Sequence, residues 1–196
     1  VDEMLKRPPI TTEDLLKALT TMRVFVGVPK NRQDLKEAKK RLKAEAWRVL
    51  AALGDEHQMT SIYEGHPQEY LYDFVWLDNT GTLTLAVESE TSMYGDDVLY
   101  DFRKLLHAKA AIKLVLFLDS PLRARNPNIR RISIHMIEEA LHSYTGHIPG
   151  EEYIAVQFCN LKTGCLEAYR WTAPESRSED LLSCQLSPFF SHRWTL

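Results

Sequence analysis

Three acids within one short stretch, Asp73, Glu88 and Glu90, are the residues best placed to do chemistry. They sit on the two arms of YLYDFVWLDNTGTLTLAVESE, residues 70–90, where large residues alternate and Asn79-Thr80-Gly81-Thr82 supplies turn chemistry. Tyr72, Phe74 and Trp76 fall on one face of the first arm, with Leu71, Asp73, Val75 and Leu77 on the other. Pairing Asp78 with Leu83 across a four-residue loop puts Asp73 opposite Glu88, with Glu90 one pleat further on the same face. Directly opposed like charges destabilise a sheet. Leu71, Val75, Leu77 and Ala86 also make this face too apolar for a plain solvated surface. Acids gathered in such a place call for a cation. Hard divalent ions prefer oxygen ligands, and Mg²⁺ commonly takes one or two carboxylates together with water and phosphate oxygens. Such an ion acidifies a bound water and neutralises charge on a phosphodiester in its transition state. The plainer alternative is a polar sheet face whose acids pair with Lys or Arg from a covering helix.

Lys104 is the second candidate. It lies in Asp101-Phe102-Arg103-Lys104-Leu105-Leu106, on the flank of the apolar stripe of the helix that follows the acidic strand. It could pair with Asp101 at the surface, which stabilises a helix by only a few tenths of a kcal/mol. Alternatively its ammonium leans back over the sheet and orients a water or a phosphate oxygen.

The elements that must position these residues read as follows. Thr11-Thr12-Glu13-Asp14 caps a first helix ending near Arg23. VFVGVP is a short extended piece. A long helix runs from about Gln33 to Leu53, with Leu35, Ala38, Leu42, Ala46, Val49, Leu50 and Leu53 as its stripe, and stops at Gly54. Glu45 sits at the edge of that stripe. Residues 57–63 read as a first strand, and the arms of 70–90 as the second and third. A helix from Asp96 to about Lys109 and the apolar strand Ala111–Leu118 come next; such a continuous run fits a strand covered on both faces. After a loop, a helix covers Ile129 to Tyr144, and 153–158 and 165–171 form a closing hairpin. The tail after Pro174 is Ser-rich and irregular. These elements predict an α/β protein, a mixed central sheet flanked by helices. No glycine-rich nucleotide-binding motif occurs.

Asp73, then fourteen residues, then Glu88-x-Glu90, all after a helix carrying Glu45, resembles the restriction-endonuclease-like PD-(D/E)xK nuclease superfamily. The expected element order matches that superfamily's αβββαβ core over about residues 33–118. Residues 119–172 would then extend the sheet and helices of one nuclease-like domain spanning 1–196, with 173–196 as tail. The resemblance implies that Asp73 and Glu88 bind Mg²⁺ (or Mn²⁺), with Glu45 as a further ligand. It also implies that a lysine activates water. Glu90 stands where that lysine is usual, a departure that makes Lys104, on the following helix, the natural substitute. Tyr72 precedes Asp73 where proline is common. The implied function is metal-dependent hydrolysis of DNA. A fold retained without activity, binding nucleic acid or protein, is the alternative.

Composition bounds the rest. The 196 residues carry a net charge of −3, with 44% hydrophobic and 26% charged residues, an ordinary globular mixture. Yet Lys30–Arg48 holds eight basic residues against three acids, and Arg123–Arg131 holds four arginines. From these blocks Lys36, Lys40, Lys43, Arg123, Arg125, Arg130 and Arg131 are candidates for a phosphate backbone. No apolar run approaches the roughly 20 residues of a membrane span, and the first residues carry no secretory signal. Cys159, Cys165 and Cys184 make no disulfide framework. A reducing, cytoplasmic setting without membrane contact is the expectation, and an apolar contact through the tail would make a homodimer. The seven histidines show no metal-ligand spacing; His135 and His142 share a helix face without a ligand's company.

Overall fold

The computed structural model describes residues 10–23, 32–64, 71–91, 95–118, 127–158, 165–173 and 190–193. Its elements run α1 (Thr12–Thr20), α2 (Arg32–Glu56), β1 (Thr60–Tyr63), β2 (Phe74–Leu77), β3 (Leu83–Glu90), α3 (Gly95–Leu106), β4 (Ile112–Leu118), α4 (Pro127–Ser143), β5 (Glu152–Phe158), β6 (Cys165–Thr172) and β7 (Phe190–Arg193). From α2 to β4 this is the expected αβββαβ order. The seven strands form one sheet in chain order. The pairs β3–β4 and β4–β5 are parallel and the other four are antiparallel.

Helices cover both faces. Leu42, Ala46, Val49 and Leu50 of α2, with Leu15, Leu16 and Leu19 of α1, bury Phe74, Trp76, Leu85, Val87, Leu114 and Leu116. On the other face Val98, Phe102 and Leu105 of α3 and Ile137 and Leu141 of α4 bury Val75, Ala86, Val115, Phe117, Tyr153 and Ala155. Alternation along the strands divides the two cores, and β4 feeds both, which is why it reads as unbroken apolar sequence. The α1 cap is reciprocal: Asp14 N–H donates to Thr11 Oγ1 and Thr11 N–H donates to Asp14 Oδ2, at 3.2 and 3.1 Å. Arg170 of β6 ties this helix to the sheet through Glu13 at 2.8 Å.

The first helix, the first strand and the third helix are shorter than their expected bounds, and four further details differ from the sequence reading. Helix α2 does not stop at Gly54 but continues to Glu56. The glycine is a contact point: a Cβ there would meet Trp76 Nε1 at 2.5 Å and Ser61 Oγ at 2.9 Å. That indole donates to Leu50 O at 3.2 Å, so it is fixed against the helix. Gly54→Ala should therefore destabilise the protein by about 1–3 kcal/mol despite the better helix propensity of alanine; a denaturation midpoint unchanged or raised would refute the contact. In the hairpin, Leu77 pairs with Leu83 and the register shifts between Trp76 and Leu77, a bulge beside the turn. Tyr72 packs with the α3 side and not with Phe74, because the alternation of β2 begins only at Phe74. Finally, part of the tail is regular: β7 extends the sheet beyond β6. The VFVGVP piece and residues 174–189 lie outside the described residues.

Candidate active site

The hairpin turn is set by Asp78, whose Oδ1 accepts from the Thr80 and Thr82 N–H groups at 2.9 Å each, and by Gly81 at φ 80°. Beyond the bulge the arms run in step as far as Phe74 against Val87, and Asp73, just before β2, lies close enough to Glu88 for its charge to act on it. Asp73 is anchored there: its Oδ2 accepts from Ser89 N–H at 2.9 Å. Glu88 is only 2% exposed, a rare state for a carboxylate. Glu90, two residues on, is half-buried and lines a small cleft at the C-terminal ends of β3, β4 and β5 with Lys43, Ser89, Thr91, Leu116 and Phe158.

Lys104 reaches this cluster from α3. Its Nζ lies 2.7 Å from Glu88 Oε1 and 3.6 Å from Asp101 Oδ1. The stripe Val98, Phe102, Leu105 and Leu106 holds α3 on the sheet and leaves Lys104 at its flank, with its chain free to lean inward. The contact is close but out of hydrogen-bond alignment, so the buried Oε1 has no aligned donor. Burial pushes Glu88 up to about 7, against the pull of Lys104 and aided by the charges of Asp73 and Asp101. Asp101 is raised as well, by burial first, with Glu90 and Asp73 adding to it against Lys104. Lys104 is raised: burial opposes its charge, but Glu88, Asp101 and Asp73 outweigh it. Four acids thus share one electrostatic neighbourhood with one lysine at its centre.

A second lysine enters from the opposite layer. Lys43 of α2 lies 3.0 Å from Glu64 Oε2 and 3.3 Å from Asp73 Oδ1. Burial lowers its pKa, but Glu64 and Asp73 more than compensate and leave it raised. Lys36 and Lys40 are exposed on the same helix face, at the i, i+4, i+7 spacing that ends on Lys43. Glu45 is not brought to Asp73 and Glu88. Two residues beyond Lys43, it points about 160° away around the helix. Its carboxylate accepts from Arg48 at 2.9 Å and from Arg23 N–H at 3.1 Å, and these hold its pKa low, Arg48 foremost. Arg123 and Arg125, and the side chains of Arg130 and Arg131 on α4, lie outside the described residues. His135 pairs with its own helix neighbour Glu139 at 3.2 Å, and His142 with Glu138 O at 2.8 Å.

Sequence reasoning missed three features. Asp101 joins the cluster, where it had been weighed only as a surface partner of Lys104. Gln157, fully buried, stands in the register row Glu90–Phe117–Gln157 on the face of the acids. The third is a buried polar network at the N-terminal ends of β4 and β5. There Lys113 Nζ pairs with Glu151 Oε2 at 2.9 Å, and Tyr153 Oη donates to the same oxygen at 2.7 Å. His147 meets Tyr153 Oη at 2.8 Å and donates through Nε2 to Leu141 O at 3.0 Å. Strand alternation could have placed Lys113 inside, since it interrupts an apolar run. No local signal points to Glu151.

Whether the acids fit a divalent ion turns on the donor set. Among the described residues no group of three carboxylate, imidazole or thiolate ligands converges as a cage. Mg²⁺ seldom requires one, since two carboxylates with water suffice. Asp73 and Glu88 supply that pair of carboxylates, each held here by a lysine, Lys43 and Lys104, that an entering ion would displace. In donor chemistry they fit.

No protein-family model matches the chain, and no curated protein does. Among solved structures, SfsA of Pyrococcus furiosus in complex with Ca²⁺ is weakly similar, at 16% identity and a TM-score of 0.32. The match covers 62% of this chain, which spans 58% of that protein's length. No helix among the described residues is long and apolar enough to cross a membrane.

Proposed function

We propose that the protein is a divalent-metal-dependent phosphodiesterase acting on DNA. The observation that carries this reading is the buried carboxylate of Glu88, set beside Asp73 with Lys104 leaning onto it. Burial makes this carboxylate costly for the fold even with Lys104 against it, and such a strained acid beside a second one is a common mark of a functional site. Asp73 and Glu88 would hold Mg²⁺ or Mn²⁺; such an ion supplies charge neutralisation and an acidified water. Glu90, at the cleft and half-buried, would take the water's proton or act as a further ligand. Lys104 would orient that water or a phosphate oxygen, in place of the lysine missing at position 90. The row Lys36–Lys40–Lys43 leads to the cleft and serves a phosphate backbone.

Asp73→Asn tests the assignment, because the amide can still accept from Ser89 N–H while losing the charge. Mg²⁺-stimulated cleavage of DNA is expected to fall more than about a hundredfold, since loss of even an outer partner of a metal costs about 10- to 100-fold. Cleavage that persists in both Asp73→Asn and Glu88→Ala would refute it.

One observation favours a second reading. Asp73 and Glu88 each already face a lysine, and Glu90 occupies the usual lysine position. A fold that binds nucleic acid without cutting it would look like this. Calorimetric titration with Mg²⁺ separates the two, because only the nuclease reading requires binding that depends on Glu88.

A further inference from the structure

Lys43 and Lys104 are placed differently with respect to the acids they face. The second partner of Lys104 is Asp101, itself half-buried in the cluster, so this lysine stays at the site whichever acid it prefers. The second partner of Lys43 is Glu64, whose side chain is 73% exposed at the end of β1. Lys43 Nζ lies 5.7 Å from the centre of the Trp47 ring, and the residue lines the cleft. Asp73 cannot easily turn away, since its Oδ2 is held by Ser89 N–H. Its free oxygen, Oδ1, is the one Lys43 occupies.

We propose that Lys43 is the internal counter-ion of the metal-free site: it neutralises Asp73 until a divalent ion takes that oxygen, then withdraws onto Glu64. This rests on the reading of Asp73 and Glu88 as metal ligands. The physical argument is competition. A divalent ion at Oδ1 repels an ammonium about 3 Å away, so the ion must displace Lys43. A lysine with a ready second acid is displaced at little cost. Glu64 therefore lowers the barrier to loading the site without touching the ion. The withdrawn ammonium still faces the cleft, where it can meet a phosphate of the nucleic acid that the row of lysines guides in.

The test is calorimetric titration of the whole chain with Mg²⁺ alone. Lys43→Met keeps an unbranched side chain of similar length and removes the competitor, so Mg²⁺ should bind on the order of fivefold tighter. Lys43→Arg, which keeps the charge, should leave the affinity near that of the unmodified protein. Glu64→Gln should weaken Mg²⁺ binding, because Lys43 is then left to Asp73. In the Lys43→Met background the same change should have little effect, a coupling that neither general electrostatics nor a structural role produces. Equal or weaker binding by Lys43→Met, or an undiminished effect of Glu64→Gln in that background, overturns the proposal. Absence of Mg²⁺ binding in folded samples of the unmodified protein and of Lys43→Met also overturns it, but by removing the metal reading beneath it.

Discussion

Glu88→Gln should make the protein more stable at neutral and alkaline pH while abolishing Mg²⁺-stimulated cleavage. The side chain is isosteric, and the change removes a charge the fold holds at a cost. In the unfolded chain Glu88 ionises near its ordinary 4.5, and in the folded protein near 7, with burial as the main cause. The folded state therefore binds the proton more tightly. The resulting stability is fully present below about pH 4.5 and is lost as pH rises through about 7. Above that the displacement corresponds to about 3 kcal/mol. Glutamine escapes this, so its advantage should grow from nothing at pH 4 to at most about 3 kcal/mol at pH 8. Thermal or urea unfolding across that range checks the slope. A variant less stable than the unmodified protein at pH 8 would show that the Lys104 contact outweighs the burial. Gains of this kind are common where a functional group is replaced.

Lys113→Met should be the most damaging single change in stability. Lys113 is 1% exposed and Glu151 4%. Burial pulls the lysine's pKa down while Glu151 holds it up. Without the ammonium, Glu151 keeps, among the described residues, Tyr153 Oη–H at 2.7 Å and Ile148 N–H at 3.1 Å. An uncompensated buried charge of this kind costs about 3–5 kcal/mol. Adding Glu151→Gln to Lys113→Met should recover most of the loss, because the second change removes the stranded charge. Urea unfolding of the two variants measures this. A loss under about 1 kcal/mol in the single variant, or a double variant worse than the single, would contradict it. Mg²⁺ binding should change little in either, since Lys113 Nζ is committed to Glu151 just before β5, while Glu88 pairs with Val115, two residues further along β4.

The sheet was legible because its signals are local. The arms of 70–90 alternate, the turn residues lie between them, and β4 is apolar throughout; these place the acids side by side without long-range information. Lys104 could be placed in part: the spacing of Phe102 and Leu105 puts it on the flank of the stripe, while the choice between Asp101 and the sheet depends on Glu88, on another element. Glu45 shows where this fails. A position at the edge of a stripe leaves two directions open, and Arg23 and Arg48 decide between them. Gly54 resembled a helix stop because its closeness to Trp76 depends on how α2 crosses β2, which no local pattern encodes. Lys43 read as one more surface lysine, since its partners Glu64 and Asp73 lie on two other elements. The buried network was hidden for the same reason: Lys113 and Glu151 meet only because β4 and β5 pair in parallel.

The central claim is that the two opposed acids of the hairpin share a divalent ion. Calorimetric titration of the unmodified protein, Asp73→Asn and Glu88→Gln with Mg²⁺ addresses it most directly. The account predicts one saturable site in the unmodified protein, lost in both variants while their unfolding remains cooperative. Binding that survives in both variants, or no binding by the unmodified protein at millimolar Mg²⁺, would contradict it.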